Sequence, residues 1–357
     1  MKQINSFCAL PFTRIKIFYN GDISMCCHQS DKYIGNLLHS SFEDVWFSEV
    51  AKDIRSETLQ GRLHKNCQFH VCPFMHVKDL KSKFRYFHIN EDEMPTELEI
   101  DLHPTHCNFG GVKMEPSKTC IMCPRSNPNF VKHFSEAPDM TFELVEKVKH
   151  LMPHLKSLCI LGIAEPFWKD KIFEIFDNLD FKKYSKNITF WTHTNGSIFD
   201  ERRMKKYSEY VQKGSLNFSI DAATEETFMK IRKNKVFHTI IKNLRNWMNY
   251  SRSLNDSGFK HKTKIYNNIN SLNVHEIPAM VRLAHELKVD MLFLIPTHKF
   301  DNIDKKLLDI LPNNSNYKQF LQYTEEGKKL AKELNVKLEI YRSLDDGMSD
   351  KLVQISF

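Results

Sequence analysis

Three cysteines, Cys107, Cys120 and Cys123, follow an apolar, strand-like segment (ELEIDLH, 97–103) with the spacing C-x12-C-x2-C. Three thiolates can hold a cubane iron–sulfur cluster by three of its irons, leaving the fourth iron open to chelate a substrate; a fourth thiolate would close it. The same spacing suits a structural zinc site with His103 or His106 as fourth ligand, and C-x2-C alone does not choose between the two. A second group, Cys8, Cys26, Cys27, Cys67 and Cys72, lies within the first 72 residues. Cys159 stands alone inside an apolar run, where a small core residue is the simpler assignment. The N-terminal stretch MKQINSFCALPF carries too short an apolar run for a signal peptide. A reducing, cytoplasmic compartment is therefore expected, in which metal ligation or catalysis outweighs disulfides.

Placing these thiols requires a scaffold, and the chain supplies a regular one. From 97 onward, strand-like segments (97–103, 157–163, 187–194, 215–221, 264–270, 289–296) alternate with helix-like ones (141–152, 169–179, 201–212, 223–232, 276–287). Six βα units imply a parallel sheet with functional residues at the C-terminal strand ends, and right-handed crossovers favour a partial (β/α)6 barrel of the TIM type. The fold class expected is thus α/β, with a small cysteine-rich domain before the barrel. That domain, 1–80, contains a hairpin around Asn20-Gly21 (TRIKIFYNGDISM) and one helical stretch near FEDVWFSEVAKDIR. A charged segment, 81–96, reads as a linker; 97–300 forms the barrel; 301–357 is an extension, helical over 316–334 and strand-like at VKLEIY.

Composition bounds the function. Hydrophobic residues make up 41% of the 357 and charged residues 27%, values of a globular chain, and no apolar run is long enough to span a bilayer. The formal net charge is +7, but Lys and Arg are dispersed, which favours a solvated basic surface over a nucleic-acid footprint.

Taken together, the strand ends resemble the radical S-adenosylmethionine (SAM) superfamily over roughly 95–300. The phrase LEIDLHPTHCNFG…TCIMCP is similar to that family's first strand and cluster loop. GIAEPF (162–167), THTNG (192–196) and SIDAATEETFMKIR (219–232) resemble its motifs at the second, third and fourth strand ends. The resemblance implies that Cys107, Cys120 and Cys123 hold a SAM-chelating 4Fe-4S cluster. It further implies that Glu165 meets the SAM amino group, that Asn195, Ser219 and Asp221 contribute to the SAM site, the last two near the ribose, and that Arg232 approaches the SAM carboxylate. Simpler roles exist for each: Glu165 as a surface acid, Arg232 as a helix charge, Asp221 as the N-cap of the next helix. The first gap departs from the family's usual C-x3-C, and Met122 stands where an aromatic residue is customary.

The run from Cys8 through IGNL (34–37) and SFEDVW to Cys67 and Cys72 resembles the auxiliary-cluster domains called SPASM or twitch, which usually follow the barrel rather than precede it. The implied ligands of a second 4Fe-4S cluster are Cys8, Cys26, Cys67 and Cys72, with Cys27 spare; a zinc ribbon is the alternative. The activity implied is reductive cleavage of SAM to methionine and a 5′-deoxyadenosyl radical, which abstracts a hydrogen from a substrate, expected to be a peptide or protein. An external electron donor such as flavodoxin or ferredoxin is the expected partner. The alternatives are a radical SAM enzyme for a small molecule or nucleoside, and a zinc-stabilised RNA-binding protein without catalysis.

Overall fold

The computed structural model describes residues 1–26, 32–67, 72, 74–75, 77–111, 113–135, 138–254, 258–297, 304–308, 310 and 316–340. Twelve strands occur among them: β1 Lys2–Ser6, β2 Arg14–Ile17, β3 Asp22–Ser24, β4 Gly35–Asn36, β5 Arg85–Ile89, β6 Glu97–Leu102, β7 Ser157–Gly162, β8 Thr189–Thr194, β9 Lys213–Ser219, β10 Lys260–Ile269, β11 Met291–Pro296 and β12 Leu338–Ile340. Ten build one mixed sheet in the order β12-β11-β10-β9-β8-β7-β6-β2-β3-β4. Its centre, β6 to β11, is six successive parallel strands. The α/β class and the six βα units are as expected; among the described residues the sheet is open, with no pairing between its outer strands.

Each crossover helix exists because its apolar stripe has a sheet to cover. The helix Lys171–Asn178 buries Ile172, Phe173, Ile175 and Phe176. The helix Phe237–Ser253 buries Ile240, Leu244, Trp247 and Met248, and its Trp247 Nε1 donates to Thr263 Oγ1 of β10 at 2.8 Å. Leu158, Ile160, Phe190, Leu216 and Phe218 meet these helices from the sheet, all essentially inaccessible. The opposite side chains, at in-register positions Glu99, Cys159, Trp191 and Ser215, line the other face. Cys159 is indeed buried mid-strand.

The N-terminal segment is joined to this sheet, since β2 pairs in parallel with β6. The junction is laced by ion pairs: Arg14 to Glu97 at 2.8 Å, Lys16 to Glu99 at 2.9 Å and Lys16 to Asp101 at 3.5 Å. The hairpin around Asn20-Gly21 forms as β2 and β3. The segment expected to be a linker contains β5, which pairs antiparallel with β1, a strand that its short alternation had hidden. The single helical stretch expected after residue 41 is two helices, Phe42–Trp46 and Glu49–Leu59. Ser41 caps the first and Ser48 the second, and Ser48 supplies the break. At the other end, the helix Tyr317–Glu333 leads into β12, which adds a further parallel strand beside β11. No helix among the described residues is long and apolar enough to cross a membrane.

Candidate active site at the C-terminal strand ends

Strand β6 ends at Leu102, and the loop that follows brings Cys107, Cys120 and Cys123 within electrostatic reach of one another. The twelve-residue insertion is a compact turn: Glu115 N donates to Gly110 O at 2.9 Å, Met114 N donates to Gly111 O at 3.0 Å, and the Met114 side chain is fully buried. Burial pushes the Cys107 thiol up to about 11 and Cys123 up to about 12, and raises Cys120 as well. Neighbouring thiols add to the rise at Cys123, while Arg125 opposes it at all three and Arg232 opposes it at Cys120. Left without metal, these thiols keep their protons at neutral pH; a metal centre would displace them. The Phe109 and Arg125 amides donate to the sulfurs of Cys107 and Cys123 respectively, the type of hydrogen bond that tunes iron–sulfur centres.

Both histidines offered as zinc ligands have other partners. His106 Nε2 bonds the Asp139 carboxylate, and His103 Nδ1 bonds Thr105 Oγ1 at 2.7 Å while its ring packs on Tyr19. Among the described residues, no three His, Cys, Asp or Glu side chains close on a single metal ion, whereas a cubane needs its three thiols spread around a larger body. The donor set, three clustered thiols with amide donors and two flanking guanidiniums, fits a three-cysteine cluster of net negative charge.

At the end of β7 the chain turns through Gly162, whose φ is +112° and where an added Cβ would lie 2.6 Å from Leu102 O. Three residues on, Glu165 is 1% exposed, so it is no surface acid. Its Oε1 accepts from Thr194 Oγ1 at 2.7 Å and Phe167 N at 3.3 Å, and its Oε2 accepts from Asn195 N at 2.6 Å. Burial nevertheless raises its pKa to about 7, against the pull of those donors and of Arg232. Such a carboxyl is a poor resident anion and a ready partner for an incoming cation. Its own amide donates to His106 O at 2.6 Å, tying this strand end to the cysteine loop.

Strand β8 ends at Thr194 and is followed by Asn195 and Gly196, the latter at φ +74° with Phe218 2.8 Å from where a Cβ would stand. Asn195 Nδ2 donates to Asn108 Oδ1 at 2.8 Å, so the residue beside Cys107 is joined to the third strand end. Ser219, the last residue of β9, is half-buried, and Asp221 beyond it is wholly buried. Asp221 does not cap the next helix; Thr224 does, accepting from Thr227 N at 3.3 Å. Asp221 Oδ1 instead accepts from Asn268 N at 2.8 Å, and its Oδ2 accepts from Arg232 Nε. Arg232, 8% exposed, reaches Cys120 Sγ with Nη1 at 3.8 Å. Its charge therefore serves Asp221 and the thiol together, a sharing that sequence spacing does not reveal. Met122 lies elsewhere, in a small apolar group with Ile121, Leu272 and Leu307.

The structure thus brings Cys107, Cys120, Cys123, Glu165, Asn195, Asp221 and Arg232 to one end of the sheet. Sequence reasoning missed Asn108, Arg125 and Asn273, whose Nδ2 donates to Asp221 O at 2.7 Å. Asn108 directly follows Cys107 in the quoted cluster-loop phrase, a signal that adjacency could have given; Arg125 and Asn273 carried none. In the N-terminal segment Cys8, Cys26, Cys67 and Cys72 are all half-buried. Burial and the neighbouring Cys72 push the Cys67 thiol up to about 11. Cys27 lies outside the described residues.

Residues 8–73 match the family model of SPASM, an iron–sulfur cluster-binding domain. Comparison with the curated proteins gives no match. Among solved structures, SuiB of Streptococcus suis bound to S-adenosylmethionine is 15% identical, with a TM-score of 0.47 over 70% of this chain and 50% of that one. SuiB bound to the precursor peptide SuiA gives 15%, 0.46, 70% and 49%. Native anSMEcpe with bound AdoMet gives 18%, 0.48, 69% and 64%. The chain spans about half the length of the SuiB structures, and scores of this size assign no activity to it.

Proposed function

We propose that this protein is a radical SAM enzyme. Cys107, Cys120 and Cys123 hold the SAM-chelating 4Fe-4S cluster, and a second cluster sits on Cys8, Cys26, Cys67 and Cys72. The observation that carries the proposal is the convergence, on successive parallel strand ends, of three thiols, a buried carboxyl whose pKa is raised, and a buried guanidinium. SAM presents complementary chemistry to that set: an ammonium for Glu165, and a carboxylate and ribose for the polar ends of β8 to β10. When bound, the cluster would supply the electron that splits the sulfonium, giving methionine and the 5′-deoxyadenosyl radical.

This chain's own residues bind, orient and exclude water. Glu165 offers its charge only when a cation arrives to keep it. Asn195 and Asn108 hold the loop at the mouth of the site. Arg232, anchored on Asp221, keeps a positive charge against Cys120. The match of residues 8–73 supports the second cluster. Its module meets the site through Tyr19, whose ring contacts His103 just after β6 at 4.6 Å. A wall extended in this way suits a peptide or protein, the substrate class proposed, and an external flavodoxin- or ferredoxin-type donor would deliver the electron.

Anaerobic reconstitution provides the test. About eight irons with matching sulfide are expected per chain, from two four-iron clusters. Dithionite should then drive 5′-deoxyadenosine formation that Cys120→Ala abolishes. Stoichiometric zinc without labile sulfide, or undiminished SAM cleavage by Cys120→Ala, would overturn the assignment.

A further inference from the structure

A gap of twelve residues between the first two cysteines leaves Cys107 attached to the pair at 120–123 by a long insertion, and a long insertion by itself does not hold one thiol at a cluster's width from two others. The structure contains a physical link across that gap. Arg125 is 1% exposed, yet it is a full guanidinium. Its Nη1 donates to Phe109 O at 2.5 Å and its Nη2 to Gly111 O at 2.8 Å, so its fork grips the insertion immediately after Cys107. The Phe109 amide in turn donates to the Cys107 sulfur, and the Arg125 amide to the Cys123 sulfur. One residue therefore touches both ends of the loop, with its side chain on the Cys107 side and its backbone on the Cys123 side.

Its third donor nitrogen, Nε, is buried with no partner. A buried guanidinium with an unmet N–H is costly unless an anion is to be placed beside it. Its charge acts on all three thiols. As thiolates around a cluster they would carry the negative charge that this cation lacks.

We propose that Arg125 is a positioning residue for the three-cysteine cluster: it braces the inserted loop so that Cys107 stands opposite Cys120 and Cys123, and it sets a fixed positive charge against the loaded centre. This rests on the reading of the triplet as the SAM-chelating site. Lysine could supply the charge but not the two-carbonyl grip, because only the guanidinium carries a planar fork. Glutamine supplies neither.

The experiment is a redox titration of the reconstituted full chain followed by electron paramagnetic resonance, with and without SAM, beside iron and sulfide analysis. Only a cluster with an open iron changes its signal on adding SAM, so that response reports the triplet and ignores the N-terminal site. Arg125→Gln is expected to lose most of the SAM-responsive signal, about fivefold or more. The fraction still loaded should have a more negative midpoint, by about a tenfold change in its reduction constant, or ~59 mV for one electron. Arg125→Lys should load as poorly while keeping the wild-type midpoint. Full loading with an unchanged midpoint in Arg125→Gln overturns the proposal, and wild-type loading in Arg125→Lys overturns the brace. If circular dichroism finds the glutamine variant unfolded, loading of the lysine variant decides. A wild-type protein whose triplet gives no SAM-responsive signal would instead overturn the underlying assignment, independently of any effect at Arg125.

Discussion

Replacing Glu165 by Gln keeps the side chain's shape and removes its charge. The carboxyl pKa rises from 4.5 to about 7 in the folded chain, with burial the largest cause. A raised acid stabilises the fold fully below its unfolded value, and that contribution is lost as pH climbs through the folded one. Between pH 5.5 and 8 the wild-type protein without SAM should therefore lose about 2 kcal/mol through this residue alone. Glu165→Gln should lose none of it. The amide can still accept from Asn195 N and bond the Thr194 hydroxyl, but the 3.3 Å contact from Phe167 N goes unmet. That makes the variant up to about 1 kcal/mol weaker at pH 5.5 and more stable than wild type at pH 8. Other groups titrate in this range: Asp101, raised to about 6 mainly by burial, works in the same direction, and His193, lowered to about 4 mainly by burial, works in the opposite one. Both are common to the two proteins and cancel in the difference. The assay is urea unfolding at a series of pH values. SAM binding gives a second readout, since loss of one charge-assisted contact of roughly 1.5–3 kcal/mol should weaken affinity about tenfold to a hundredfold. Parallel stability curves for the two proteins would refute the reasoning, because they would mean that the carboxyl is not held as a disfavoured buried anion.

Removing either member of the buried pair, by Asp221→Ala or Arg232→Ala, should cost about 3–5 kcal/mol in urea unfolding, and the double variant clearly less than the sum; full additivity would mean that the two side chains act separately. Gly162→Ala should cost at least about 1–3 kcal/mol from its +112° φ alone, with more from the approach to Leu102, and a neutral result would exclude the tight turn before Glu165. Cys67→Ala or Cys72→Ala should leave uncoupled SAM cleavage measurable while abolishing the modified product, with circular dichroism as the folding control; normal turnover of the true substrate would reduce the N-terminal module to a structural cap.

The alternation of short apolar strands with amphipathic helices determined the α/β class and the six βα units, because period-2 and period-3.6 patterns are local properties of the chain. Residue type and spacing likewise singled out Cys107, Cys120 and Cys123, since clustered thiols need no tertiary contact to be noticed, whereas Glu165 was marked only by the resemblance of GIAEPF to a radical SAM motif. Cys8, Cys26, Cys67 and Cys72 were marked in the same way, and the match over residues 8–73 falls on them. Three things depended on the folded chain. The β1–β5 pair joins residues some eighty positions apart, and five-residue strands carry too little pattern to announce a partner at that distance. The mutual ion pair of Asp221 and Arg232, which also faces Cys120, was not legible, because spacing along a strand and helix cannot say which way two side chains turn. Arg125 carried no signal at all in the sequence. Its meaning lies in burial beside three thiols and in two carbonyls fourteen and sixteen residues earlier, a coincidence that exists only once the inserted loop has folded back on itself.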